Sequence, residues 1–191
     1  DITYIKTISM EPKSSPTTQL PESMDQAIVK LSLSKPLQEI NDWLNMPGKK
    51  SGSPGEKEKK GLPVLFYGRK KSGKLTYATM MATNAGKELY KVDLSKFDSK
   101  YIGETEKNLS TLFSVAEDKG WILFFDEADA LFGKRTEVKD SHDKYANQEV
   151  AYLMQRIEEY KGLVILSSNL KSNIDQAFLR RLRYAIHFPP V

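Results

Sequence analysis

The stretch LPVLFYGRKKSGKLTYATMMATNAG, residues 62–86, decides the fold. It opens with the apolar run 62–68, which predicts a buried strand, and from residue 74 its apolar residues recur at helical spacing until Gly86. Between them lies GRKKSGKL, 68–75, which follows the outline of a phosphate-binding loop, G-x-x-x-x-G-K-[ST]. Because backbone N–H groups at the start of a helix hold phosphate oxygens, the stretch predicts a nucleotide site.

This loop departs from the outline at its last position. Gly68, Gly73 and Lys74 are in place, and Lys74 would reach the β- and γ-phosphates. Leu75 stands where a Ser or Thr hydroxyl ordinarily holds Mg²⁺. Thr76 is no easy substitute, because one residue along a helix turns the side chain by about 100°. The alternative to a nucleotide site is a basic turn punctuated by glycines. The predicted nucleotide-binding residues are Gly68, Lys71, Ser72, Gly73, Lys74, Leu75 and Thr76.

A second motif, WILFFDEADALF at 121–132, places two carboxylates after an apolar strand. At the carboxyl edge of a parallel sheet, Asp126 would lie beside the phosphate loop and reach Mg²⁺ through water. Glu127 would orient and polarise an attacking water. The alternative is the enrichment in acids that helix N-termini commonly have. An Asp-Glu pair that ends a buried strand downstream of a phosphate loop favours the catalytic interpretation.

Two further stretches carry candidate site residues. LVILSSN is a predicted buried strand that ends in Asn169, whose amide would hold the attacking water or the γ-phosphate. The alternative there is a turn-forming Asn. AFLRRLR carries Arg180, Arg181 and Arg183, which would reach the γ-phosphate bound by a neighbouring subunit. The alternative for these arginines is a solvated basic face.

The rest of the chain alternates between apolar runs and helical spacing. Helices are predicted over 104–120, 143–162 and 173–183, and further strands over 88–97 and 184–188. This alternation is typical of an α/β fold. Strands that are apolar on both faces indicate a parallel sheet covered by helices on both sides.

The first quarter of the chain carries weaker signals. Residues 1–20 are predicted to be irregular, and a domain is predicted over 21–191. Residues 21–45 have helical spacing, with a break between two helices predicted at Pro36. Residues 46–61, rich in Lys, Gly and Ser, are predicted to form a flexible basic loop.

The composition of the 191 residues, 39% hydrophobic and 28% charged, is that of an ordinary soluble globular protein. Without cysteine there are no disulfides or thiolate metal sites, and two histidines leave little for zinc. The absence of a signal peptide and of any apolar run near the roughly 20 residues of a membrane span predicts a cytoplasmic protein without a membrane partner. The chain lacks an initiator Met, so we expect a fragment. The net charge of +4 sits largely in stretches without aromatics, which argues against a nucleic-acid partner.

Taken in order, these pieces resemble the AAA+ ATPases over residues from about 20 to 191. DEADALFGKR resembles the family's Walker B region, and NIDQAFLRRLRY resembles its second region of homology. SKYIGETEKNL resembles the first central-pore loop and the helix after it, with Tyr101, Ile102 and Gly103 as the aromatic–apolar–glycine motif. HDKYANQEVAYLMQRIEEYKGLVILSSNL resembles a bacterial subgroup, the ATPases encoded with phage-tail-like contractile injection particles.

The resemblance implies a three-layer αβα sandwich with a five-stranded parallel sheet, the large subdomain of the family, without its helical lid. It implies ATP and Mg²⁺ as ligands, a hexameric ring, and a protein substrate that Tyr101 and Ile102 grip in the pore. Arg180 and Arg183 match the two arginine-finger positions by spacing, with Arg181 as the alternative if the register moves by one residue.

Departures from the family loop, G-P-P-G-T-G-K-[TS], leave other functions open. Arg69, Lys70, Lys71 and Leu75 replace the two prolines, the middle glycine and the Mg²⁺ ligand. A nucleotide-binding scaffold with impaired hydrolysis is therefore one alternative to the remodelling ATPase. A DNA-acting member of the family, favoured by the basic charge, is the other.

Overall fold

The computed structural model describes residues 34–46, 61–93, 104–132 and 141–189. The irregular segment predicted at 1–20, most of the loop predicted at 46–61 and the predicted pore residues Tyr101, Ile102 and Gly103 lie outside these ranges. The elements in chain order are α1 (Lys35–Asn45), β1 (Leu62–Tyr67), α2 (Lys74–Asn84), β2 (Leu89–Asp93), α3 (Glu104–Lys119), β3 (Ile122–Asp126), α4 (Asp129–Phe132), α5 (Ser141–Glu159), β4 (Leu163–Ser168), a 3₁₀ turn (Lys171–Asn173), α6 (Gln176–Leu179) and β5 (Tyr184–His187).

Five strands form one sheet in the order β2-β3-β4-β1-β5, and every neighbouring pair is parallel. All six residues of the central strand β4 are buried, as a strand covered on both faces requires. The edge strand β5 has only Ile186 buried. The parallel sheet predicted from the sequence is confirmed.

Alternate residues of the strands pack into two separate cores. Ile122 and Phe124 of β3 pack with apolar residues of α1 and α2. Leu123 and Phe125, which point to the opposite face, pack with apolar residues of α3 and α5. Helices therefore cover both faces of the sheet, which confirms the predicted three-layer αβα sandwich.

Two helix predictions need comment. A helix does begin near Pro36, which occupies its first turn, where the missing N–H costs nothing; the segment before it lies outside the described residues. The helix predicted over 173–183 is reduced to the four residues of α6, so that prediction was too long. The Asp175 side chain caps α6 by accepting from Ala177 N at 2.7 Å, and the chain then turns so that Arg183 N donates to Pro63 O at the start of β1.

The carboxyl ends of β1, β3 and β4 lie side by side at one edge of the sheet. The loop before α2 follows β1, Asp126 ends β3, and Asn169 follows β4. Crevices at this edge are where open parallel sheets bind ligands.

Candidate functional site

The phosphate-binding loop keeps a tight curve despite its unusual sequence. Gly68, at φ 152°, approaches the chain after β5 so closely that an added Cβ would lie 2.2 Å from Phe188 O. Gly73, at φ 81°, is the residue before α2. Lys71 holds φ 65°, the left-handed conformation, at the position where the family loop has its middle glycine. The curve is therefore retained, at a backbone cost at Lys71 of about 1–2 kcal/mol.

Lys74 lies inside this loop. Its Nζ donates to Gly68 O at 2.5 Å, to Arg69 O at 3.1 Å and to Ser72 Oγ at 3.4 Å, and only 9% of the residue is exposed. Burial lowers the pKa of Lys74, while the nearby charges of Asp126 and Asp129 act in the opposite direction. The ammonium group is thus held at the start of α2 by oxygens that phosphate oxygens could replace.

Both predicted carboxylates leave the carboxyl end of β3 beside the loop. Asp126 Oδ1 accepts from Glu127 N at 3.0 Å, and Glu127 adopts φ 53°. Each carboxylate has a lysine partner. Lys91 Nζ on β2 lies 2.9 Å from Asp126 Oδ2, and Lys70 Nζ in the loop lies 3.7 Å from Glu127 Oε1.

A cleft of about 490 Å³ brings most of the predicted site residues together. Its lining includes six of the seven predicted loop residues, Asp126, Glu127 and Asn169. Gly68, the seventh, instead packs against the chain after β5, and its carbonyl oxygen accepts from Lys74. The residues in the lining are Lys70, Lys71, Ser72, Gly73, Lys74, Leu75, Thr76, Phe124, Asp126, Glu127, Asp129, Ser167, Ser168 and Asn169.

Three polar residues of this cleft, and a lysine beside it, were missed by sequence reasoning. Asp129 lines it with one buried oxygen, Oδ1, that has no hydrogen-bond partner, and Ser167 and Ser168 form its floor at the end of β4. The repeated acids of the DEAD stretch could have pointed to Asp129, and the serines directly precede Asn169. Lys91 gave no sequence signal, because its contact with Asp126 depends on the pairing of β2 with β3.

The predicted arginines lie away from the cleft. Arg181 Nη1 lies 3.4 Å from Glu158 Oε1, and the guanidinium of Arg183 sits 6.0 Å from the centre of the Tyr184 ring. Arg180 is exposed and has no side-chain partner within the ranges that the structure describes. None of the three lines the cleft of its own chain.

The residues present do not fit a directly bound Mg²⁺. Leu75 offers no oxygen, and the Asp126 carboxylate is already paired with Lys91. In the described part of the chain, no group of three or more His, Cys, Asp or Glu side chains is arranged to hold a metal ion. Mg²⁺ at a nucleotide takes most of its oxygen ligands from water and phosphate and only one or two from side chains, and here neither residue 75 nor an unpaired Asp126 supplies one.

Comparison with known proteins identifies relatives over most of the chain. The family model "ATPase family associated with various cellular activities (AAA)" matches residues 64–190. The protein SUPPRESSOR OF K(+) TRANSPORT GROWTH DEFECT 1 of Arabidopsis thaliana is 31% identical over 167 residues, 77% of this chain and 38% of that protein. Cell division protein C of Sulfolobus acidocaldarius is 32% identical over 133 residues, 65% of this chain and 36% of that protein.

A third relative is the peroxisomal ATPase PEX6 of Saccharomyces cerevisiae, 33% identical over 151 residues, 76% of this chain and 15% of that protein. The chain therefore spans less than two fifths of the length of each of these relatives. Among the described residues, none of the helices is both long and apolar enough to cross a membrane.

Proposed function

The chain belongs to the AAA family of ATPases, and on that premise we propose that it binds and hydrolyses ATP in the cleft at the carboxyl edge of the sheet. The observation that carries the proposal is the meeting of Lys74, Asp126, Glu127 and Asn169 around one cleft. These residues come from three different places in the sequence, and the order of the strands brings them together.

Each side chain has a distinct proposed role. The loop N–H groups and Lys74 bind the β- and γ-phosphates, for which the ammonium group exchanges the carbonyl oxygens of Gly68 and Arg69 for phosphate oxygens. Glu127 orients the attacking water, and Asn169 holds that water or the γ-phosphate. Glu127 can do so only after its contact with Lys70 loosens, and that pair is exposed and longer than an ordinary hydrogen bond.

Family members ordinarily use ATP together with Mg²⁺. In this chain Asp126 is the residue that would face the ion, through water, and Leu75 contributes no ligand. In this proposal Asp126 is therefore the one residue that faces Mg²⁺, and the side chains of the cleft do not fit a directly bound ion.

The remodelling part of the proposal concerns the assembly. Copies of the chain would form a ring, a hexamer in the family pattern, in the cytoplasm. Arg180 or Arg183 would reach the ATP of the next subunit, and Tyr101, Ile102 and Gly103 would contact a protein substrate in the central pore. The resemblance to ATPases of contractile injection particles stays a prediction.

Two alternatives rest on specific observations. A nucleotide-dependent scaffold is favoured by Leu75 and by the pairing of both carboxylates, Asp126 and Glu127, with lysines. A DNA-acting protein is favoured by the sign of the net charge, +4, and disfavoured by the location of that charge in stretches without aromatics. Steady-state release of phosphate distinguishes the remodelling enzyme from the scaffold. DNA affinity, measured as a function of salt concentration, distinguishes the remodelling enzyme from the DNA-acting protein.

The test of ATP binding uses the full-length protein and the variant Lys74→Ala. Loss of a charged hydrogen-bond donor costs about 1.5–3 kcal/mol, so ATP affinity should fall about 10- to 100-fold in a calorimetric titration. Lys35→Ala, which removes a lysine from an exposed pair on α1, is the matched control and should bind ATP as the wild type does. Equal ATP affinity in Lys74→Ala and wild type would refute the proposed site.

A further inference from the structure

We propose that Lys91 and Lys70 replace Mg²⁺ in balancing the charge of this cleft, so that the chain binds ATP in its metal-free form. The inference rests on the proposed binding of ATP in the cleft. It goes beyond it by naming the ionic form of the ligand and two residues that select that form.

The sheet register places Lys91 beside Asp126. Lys91 of β2 pairs with Phe124 of β3, and Asp126 lies two residues further along β3. Side chains alternate along a strand, so Lys91, Phe124 and Asp126 project from the same face. That face is the one covered by α2, the helix that opens at the phosphate loop.

The Lys91 ammonium group is the counter-ion of the Asp126 carboxylate. Its Nζ lies 2.9 Å from Asp126 Oδ2, and the two side chains are 46% and 32% exposed. The pair is therefore open to the solvent of the cleft, which Asp126 lines. Any Mg²⁺ that used Asp126 would have to compete with a covalently tethered cation.

Lys70 is the counter-ion of the second carboxylate, that of Glu127. Lys70 Nζ lies 3.7 Å from Glu127 Oε1, and it comes from a loop position where the family has proline. The cleft side chains and Lys91 together comprise four lysines and three carboxylates, a net charge of one positive. Without Lys70 and Lys91 the same group would carry one negative charge, which a metal ion bound together with ATP would have to offset.

Leu75 also favours binding of ATP without Mg²⁺. Mg²⁺ completes its octahedron with water, phosphate oxygens and one or two side-chain oxygens, and residue 75 supplies none of these. An ammonium group has no such demand, because it is a point charge with three rotatable donors on a flexible stem. The loss of the hydroxyl and the gain of two lysines thus act in the same direction.

The experiment compares the affinity of the full-length protein for ATP in excess EDTA and in millimolar Mg²⁺. The wild type should bind ATP in EDTA within about threefold of its affinity in Mg²⁺. Lys91→Ser should bind about tenfold more weakly in EDTA, because Asp126 is left uncompensated, and should lose little in Mg²⁺. Lys35→Ser, the matched control on α1, should change neither value.

A rescue variant separates charge balance from a structural role of Lys91. Asp126→Asn added to Lys91→Ser should restore binding in EDTA, because the charge that Lys91 balances is then absent. If the Lys91→Ser protein does not fold, Lys70→Ser in the exposed loop is the second variant and should show the same selective loss in EDTA.

Two results would overturn the inference, and they differ in what else they overturn. Wild-type binding at least tenfold weaker in EDTA than in Mg²⁺, with the same ratio in Lys91→Ser, would refute the metal-free form and leave the proposed ATP site standing. Absence of ATP binding under both conditions would refute the site itself.

Discussion

Lys71 and Glu127 share an uncommon backbone conformation. They are the two non-glycine residues with positive φ, at 65° and 53°, in the part of the chain that the structure describes, and both line the cleft. Such conformations cost of order 1–3 kcal/mol each and concentrate at functional sites. In this conformation Glu127 lines the cleft beside Lys70.

The first prediction concerns Glu127→Gln. Removal of a general base lowers rates by about 10² or more, so hydrolysis under single-turnover conditions should fall by at least that factor. ATP affinity should not fall, because the carboxylate contacts no phosphate in the proposal and its loss frees Lys70. Glu159→Gln, which alters an exposed carboxylate paired with Arg156, is the control. Equal losses of affinity and rate would indicate a structural acid.

At the scale of elements, the sequence predicted the strands well but predicted only some of the residues of the site. Continuous apolar runs indicate strands that are buried on both faces. The sequence therefore predicted β1, β3 and β4 together with the polar residues that follow them. Asp126, Glu127 and Asn169 follow from strand ends alone. Lys91 does not, because its meeting with Asp126 depends on the register between two strands and on which face each side chain takes.

Short elements set a second limit on the sequence reading. The apolar spacing over 173–183 predicted one helix, but Ile174 is buried before the helix starts and Phe178 packs on Phe132. Ile174 and Phe178 thus pack the short helix α6 against the core, and the chain then continues into β5. In a stretch this short, the periodicity of apolar residues cannot distinguish a single helical turn with buried flanking residues from a longer helix.

The second prediction concerns the junction between α5 and β4. Tyr160 donates from its hydroxyl to Trp121 O at 2.5 Å and to Ala116 O at 3.2 Å, so its ring is fixed. A Cβ at Gly162 would lie 2.3 Å from that ring. Gly162→Ala should therefore lower the free energy of unfolding by about 1–3 kcal/mol, the usual cost of overpacking.

Urea unfolding of Gly162→Ala, of Tyr160→Ala and of the double variant measures this effect as a cycle. The three atoms nearest to the added methyl group all belong to the Tyr160 side chain, so Gly162→Ala should cost much less in the Tyr160→Ala background. The same cost in both backgrounds would show that the backbone at residue 162, rather than the ring, requires glycine.

The whole molecule separates its candidate residues between two surfaces. The cleft lies at the carboxyl edge of the sheet, while Arg183 N bonds to Pro63 O at the start of β1, near the opposite edge. Arg181 is paired with Glu158 and the Arg183 guanidinium lies over the Tyr184 ring, whereas the exposed Arg180 has no side-chain partner within the described ranges. Of the three, Arg180 is the one whose guanidinium could contact another copy without giving up a contact in its own chain.

The last prediction follows from this separation and concerns mixtures of two inactive variants of the full-length protein. An arginine finger contributes roughly 10³-fold or more to the rate, so Arg180→Ala should lose at least that factor while each subunit still binds ATP. Lys35→Ala, which removes a basic side chain from an exposed pair on α1, is the control and should keep the activity. Mixed with Glu127→Gln, the Arg180→Ala protein should regain hydrolysis, because an Arg180→Ala subunit keeps its Glu127 and a Glu127→Gln neighbour supplies its Arg180. Phosphate release measured across mixing ratios should pass through a maximum between the two pure proteins. A flat, inactive profile at every ratio would mean that the site is not shared between copies.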